Sequence, residues 1–106
     1  MKGFDKRKKD AEARYQRDQE LAFKANARRN KLLGLWAAEP MGISGDDADA
    51  YAKEVVVADF DRPGDDDVLE KVLKDLTDKG IDVTGHTVRK EMDRLMEVAR
   101  EQVRND

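Results

Sequence analysis

Three helix-breaking sites cut this chain into four helical segments, and almost nothing in it reads as a strand. The breaks fall at Pro40 with Gly42, at Pro63-Gly64, and at Lys79-Gly80. Proline removes a backbone donor and clashes with the carbonyl four residues back, while glycine after a basic residue is a common helix end. The one β-branched run, residues 55–57, lies inside a helical pattern. Residues 5–39 contain no proline and one glycine, Gly34, among many Ala, Lys, Arg, Glu and Leu, which are good helix formers.

The apolar spacing then assigns faces. Before Leu21 large apolar side chains are sparse, with Phe4 and Tyr15 nearly alone. From Leu21 onward the density rises through Phe23, Leu32, Leu33, Leu35 and Trp36. A helical stretch without an apolar face is marginal in water. The first helix is therefore expected to be firm from about Leu21 and frayed or disordered before about Ala13. Ser44 starts a second helix, with Ser44-x-x-Asp47 resembling a capping box and Ala48, Tyr51, Ala52, Val55, Val56 and Phe60 at helical spacing. Asp65, Asp66 and Asp67 are suited to cap and charge a third, carrying Val68, Leu69, Val72, Leu73 and Leu76. Ile81 and Val83 plug a short loop, and Thr84 caps a fourth helix striped by Val88, Met92, Leu95, Ala99 and Val103. Short connections favour antiparallel neighbours, so the expected fold is an all-α four-helix bundle with a long first helix. The division is a mobile basic segment, residues 1–17, on a bundle of residues 18–106.

Composition removes whole classes. With no cysteine there is no disulfide framework, zinc ribbon or thiol nucleophile. The longest apolar stretches fall far short of the ~20 residues that span a bilayer, so direct membrane insertion is not expected. Residues 1–9 lack the apolar core of a secretory signal, and a soluble cytoplasmic protein is the expectation. His86 is the single histidine and leaves little acid–base machinery near neutral pH. The 24 carboxylates make chance pairs everywhere, so no enzyme is read from them.

Charge is placed unevenly. Residues 1–39 are net +5 and residues 40–106 net −8. A basic head on an acidic body points to a partner for one end. Nucleic acid is not that partner. Asp5, Asp10 and Glu12 interrupt the basic run, no nucleic-acid-binding motif accompanies it, and phosphate would repel the acidic body.

Four local features invite a sharper reading. Counted from Asp59, residues 59–70 nearly follow the ligand spacing of a calcium-binding EF-hand loop, with Asp59, Asp61, Asp65, Asp67 and Glu70 in register and Gly64 at position six. Pro63 and Asp66 break the pattern, and a Pro-Gly turn followed by acidic helix caps explains the same sequence. His86 reads as a capping or surface residue and Trp36 as core. Arg28, Arg29 and Lys31 read as a solvated face or as pairing within the bundle, because no glycine-rich phosphate loop adjoins them. The segment that cannot bury itself is the basic N-terminus. It is either a helix that folds on an acidic partner, anchored by Phe4 and Tyr15 and steered by lysine and arginine, or a solubilising tail.

The run Phe23-Lys24-Ala25-Asn26-Ala27-Arg28-Arg29-Asn30-Lys31-Leu32-Leu33-Gly34-Leu35-Trp36-Ala37-Ala38 resembles the zeta subunit of α-proteobacterial F-type ATP synthases. So do Ala50-Tyr51-Ala52-Lys53-Glu54-Val55-Val56 with Ala58-Asp59-Phe60, the opening Phe4-Asp5, and the spacing to Asp18, Glu20 and Leu21. The resemblance implies a non-catalytic regulator, a four-helix bundle whose mobile N-terminal helix inserts at an interface of the alpha, beta and gamma subunits and inhibits ATP hydrolysis. Phe4, Arg7, Lys8, Lys9, Arg14, Tyr15 and Arg17 are the partner-binding residues on this view, and the bundle's acidic helices would rest on the outside of the catalytic head. It further implies weak adenine-nucleotide binding with no required cofactor, a monomer when free, and a cytoplasmic location peripheral to the inner membrane. Many relatives carry an aromatic where this chain has Ala11, and Lys8 and Asp10 also depart from the pattern, so a subunit that binds with little inhibitory force is an alternative. A second alternative is a helical module responsive to calcium, through residues 59–70, or to adenine nucleotide.

Overall fold

The structure, a computed structural model, describes residues 2–61 and 64–106, and the side chains of residues 14, 16–59 and 64–106. Its order is α1 (Lys2–Ala38), α2 (Gly45–Asp61), α3 (Asp65–Asp78) and α4 (Gly85–Arg104), with no strand among the described residues. The four helices form a ring in chain order, and α4 closes back onto α1. Cross-helix pairs give the directions. Tyr51 meets Asp75 while Glu54 meets Lys71, and Asp66 meets Arg89 while Leu73 lies near Gly85. Numbers rising on one helix pair with numbers falling on the next, so α2, α3 and α4 alternate in direction.

The helix ends follow from the breakers. Pro40 cannot donate to the turn before it, and the chain closes with Ile43 N–H on the Ala38 carbonyl at 3.0 Å and Gly42 N–H on that of Glu39 at 3.1 Å. The end of α3 repeats the same Schellman pattern, with Ile81 N–H on Leu76 at 3.0 Å and Gly80 N–H on Thr77 at 2.9 Å. Gly42 and Gly80 take φ of +75° and +80°, which a side chain would strain. Thr84 caps α4 as expected, its hydroxyl oxygen accepting from Thr87 N–H at 3.3 Å.

One local expectation is corrected. The α3 N-cap is Gly64, which makes no side-chain cap bond, so Asp65, Asp66 and Asp67 fill the first turn and do not cap it. There they still complement the positive end of the helix dipole. Two of them are turned to arginines, as described below.

The expected stripes form the core. Leu33, Ala37, Tyr51, Val55, Val68, Val72, Leu76, Val88, Met92 and Leu95 are buried together, with Trp36, Leu69, Leu73, Ile81 and Val83 packed around them. Ala99 and Val103 continue the α4 stripe to its end and are also buried. Phe23 departs from the rising apolar density of α1 and is 58% exposed. The tightest approach is between α1 and α2. A Cβ built on Gly34 would lie 2.6 Å from the Ala52 Cα and 3.2 Å from a Val55 methyl. Glycine opposite a buried alanine lets two backbones approach where any larger pair would hold them apart.

Candidate functional site

The feature that distinguishes this bundle is how α1 leaves it. Ala25 is the first buried residue described on α1, and Leu21 is half-buried. Arg14 and residues 16–20 are exposed. The composition predicts this, since residues 16–20 (Gln, Arg, Asp, Gln, Glu) have nothing apolar to bury. The helix therefore runs past the end of the bundle as an overhang with a polar surface.

Two adjacent arginines hold the root of that overhang. Arg28 faces the end of α4, donating to the Gln102 side-chain oxygen at 3.1 Å and to the Asp106 carboxylate at 2.9 Å. Arg29, one residue on, faces the start of α3. Its guanidinium donates to Asp65 at 2.8 Å, and its Nε donates to the Asn30 side-chain oxygen at 3.0 Å. Arg29 is 2% exposed and Asn30 is fully buried. The Asn30 Nδ2 is buried with no hydrogen-bond partner among the described residues. The Asp65 carboxyl is held below the ordinary aspartate value, first by the hydrogen bond from Arg29 and then by the charges of Arg29 and Arg89, against the opposing effect of partial burial.

A second polar cluster ties α2 to α3. The Tyr51 hydroxyl donates to Asp75 at 2.8 Å. Lys71 pairs with Asp75 at 3.0 Å and with Glu54 at 3.7 Å, and its ammonium lies 5.5 Å from the Tyr51 ring centre. Burial, the bond to Asp75 and the nearby carboxylates all raise the Tyr51 pKa, so the hydroxyl keeps its proton and remains a donor.

Of the residues expected to bind a partner, Arg14 and Arg17 stand exposed on α1. Phe4, Arg7, Lys8, Lys9 and Tyr15 lie outside the residues whose side chains are described, as do Ala11 and Asp10. Within residues 59–70, Asp65 pairs with Arg29 and Asp66 with Arg89 at 2.5 Å, and Asp59 accepts from Gly64 N–H at 3.4 Å. These carboxylates are engaged inside the fold, and no group of three or more metal-ligating side chains gathers among the described residues. The side chains of Asp61 and Pro63 lie outside them. His86 is exposed in the first turn of α4, and Trp36 packs against the core. Among the described residues no helix is long and apolar enough to cross a membrane.

The expectation of pairing within the bundle holds for Arg28 and Arg29, but their partners were not legible. Neighbouring residues on a helix point about 100° apart. Two adjacent arginines on a helix that packs on two sides can therefore reach two different elements.

This geometry can be set beside known proteins. No curated protein matches the chain. A solved structure, determined in solution by NMR, is 53% identical to it. That match covers 78% of this chain and 94% of that one, with a TM-score of 0.69. The family model of ATPase inhibitor subunit zeta matches residues 1–102, nearly the whole length. On that match, and with the four-helix fold the resemblance implied, the chain belongs to the ATPase inhibitor subunit zeta family.

Proposed function

We propose that this chain inhibits ATP hydrolysis by the catalytic head of F-type ATP synthase, and that its α1 overhang performs the inhibition by entering an interface of the alpha, beta and gamma subunits. The observation that carries the reading is the overhang itself. Its described side chains, Arg14 and residues 16–20, lie exposed off the bundle, and residues 1–20 hold seven basic and five acidic side chains, with the basic excess in residues 1–17. A helix of that composition gains its packing from a partner and is drawn to an acidic surface. Phe4 and Tyr15 supply apolar anchors, with Arg7, Lys8, Lys9, Arg14 and Arg17 around them. The bundle acts as a stop that limits how far the helix enters. Arg28 and Arg29 fix the angle at which it departs, since each ties α1 to another helix just inside the exit.

A wedge between subunits blocks rotation without taking part in chemistry. Inhibition should accordingly lower the maximal hydrolysis rate without involving any acid, base or nucleophile of this chain. The test is ATP hydrolysis by purified α-proteobacterial heads titrated with the protein and with Arg14→Glu/Arg17→Glu. The reversal should raise the inhibitory concentration by about tenfold or more, equivalent to ~1.4 kcal/mol of binding. Inhibition by the variant as strong as by the parent would remove the basic face from the mechanism.

A further inference from the structure

The bundle carries a groove that the overhang does not explain. It lies between α1 and α4, is lined by Leu21, Ala22, Ala25, Arg100, Val103 and Arg104, and encloses about 220 Å³. Its origin is in the sequence. Ala22 and Ala25 are too small to fill the space opposite the last turns of α4, so a groove opens at this end of the bundle, away from the buried core around Leu33 and Met92. The floor is apolar, with Val103 and Ala25 buried and Leu21 half-buried. The rim is two guanidinium groups, Arg100 and Arg104, both exposed. Arg100 pairs with Glu97 at 2.8 Å in an exposed pair within α4, so an incoming carboxylate would share Arg100 with Glu97 and meet Arg104 beside it. No acidic residue lines the groove among the described residues.

Position adds to the chemistry. Arg14 and Arg17 lie seven and four residues before Leu21, on the same side of α1, with the exposed Asp18, three residues before it, at the edge of that face. The groove is thus continuous with the basic face of the overhang, and it begins where that overhang leaves the bundle. The larger groove between α1 and α2, about 460 Å³ and lined by Lys31, Asp49, Lys53, Val56 and Val57, is mixed in charge and lies farther along α1.

We propose that the α1/α4 groove is a second docking site, which seats an acidic, apolar-tipped element on the outer surface of the same catalytic head. This inference rests on the inhibitory reading and extends it. The contact surface of the bundle is then this basic, partly apolar end and not its acidic faces. One large apolar side chain fits over Val103 and Ala25, and its flanking carboxylates meet Arg100 and Arg104. The groove adds affinity and sets how the bundle abuts the head, while inhibition belongs to the overhang.

The test measures binding of the full chain to purified heads, separately from inhibition, at low and high salt. Arg100→Gln/Arg104→Gln should weaken binding about tenfold at low salt and flatten its salt dependence. Ala22→Glu, an exposed groove position, should do the same with both arginines retained, by placing a competing carboxylate beside them, and circular dichroism melts check that both variants fold. Unchanged affinity in both folded variants overturns the groove while leaving the inhibitory reading intact. A chain that binds without inhibiting, and loses binding in the variants, supports the groove and sinks the inhibitory reading. A chain that does not bind overturns both. Self-association that the same variants abolish, with head binding unaffected, would reassign the groove to a second copy and overturn the proposal.

Discussion

Arg29 carries more structural consequence than any other charged residue described in the bundle. It is almost wholly buried, and the Asp65 carboxylate that answers it is about half exposed. Removing the carboxylate strands a buried guanidinium, whereas removing the arginine strands only a group that water can reach. Asp65→Asn should therefore lower unfolding free energy by about 1–3 kcal/mol at neutral pH. The pH dependence has a definite sign. Because the folded carboxyl is held below its ordinary value near 3.8, its contribution is fully present above that value. It is lost as pH falls below it. Denaturant unfolding at neutral pH and at about pH 3 should show the gap between parent and Asp65→Asn narrowing with acid. A gap equal at both would mean that the pair is not ionic. Tyr51 has the opposite dependence. Its raised pKa stabilises the fold below its ordinary value near 10.0, and that contribution is lost as pH rises through the alkaline range.

Among the elements, α1 has two jobs that its sequence separates by length. From Ala25 to Ala38 it is a core helix, with Leu33 and Ala37 fully buried and Gly34 against α2. Before Leu21 its described side chains, those of Arg14 and residues 16–20, are polar and exposed to solvent. The close approach at Gly34 is what lets α2 lie so near, so Gly34→Ala should shift α2 outwards and cost about 1–3 kcal/mol, read by thermal or denaturant unfolding. An unchanged or raised stability would mean that the α1–α2 seam gives way easily, because alanine is otherwise the better helix former. The helix boundaries and stripes were legible beforehand. Pro40, Gly42, Gly80 and Thr84 act through local backbone geometry, which depends on nearby residues alone. The first turn of α3 was read less well. Its three aspartates look like caps in isolation, but the cap position falls on Gly64, and the first-turn Asp65 and Asp66 pair with Arg29 and Arg89. The Arg29–Asp65 pair spans 36 residues, and no spacing rule reaches that far.

At the scale of the molecule, a small four-helix ring anchors a helix that extends beyond it. The core is built mostly from valine, alanine and leucine and leaves its α1/α4 end open. The sign of the charge changes along the chain, from net +5 over residues 1–39 to net −8 over residues 40–106, and seven of the eleven basic side chains of the first part precede Leu21. That asymmetry was visible in composition. The open groove was not, because it depends on which small residues of α1 come to face the end of α4. The family shows the chain to be an inhibitor subunit, and the placement of α1 supports the overhang as the part that inhibits. The most direct measurement is ATP hydrolysis by purified α-proteobacterial ATP synthase heads, titrated with the intact chain and with one lacking residues 1–17. The account predicts inhibition by the intact chain and its loss in the shortened one, whose helical content is verified by circular dichroism. Equal inhibition by a folded chain without residues 1–17 would contradict it and move the inhibitory contact into the bundle.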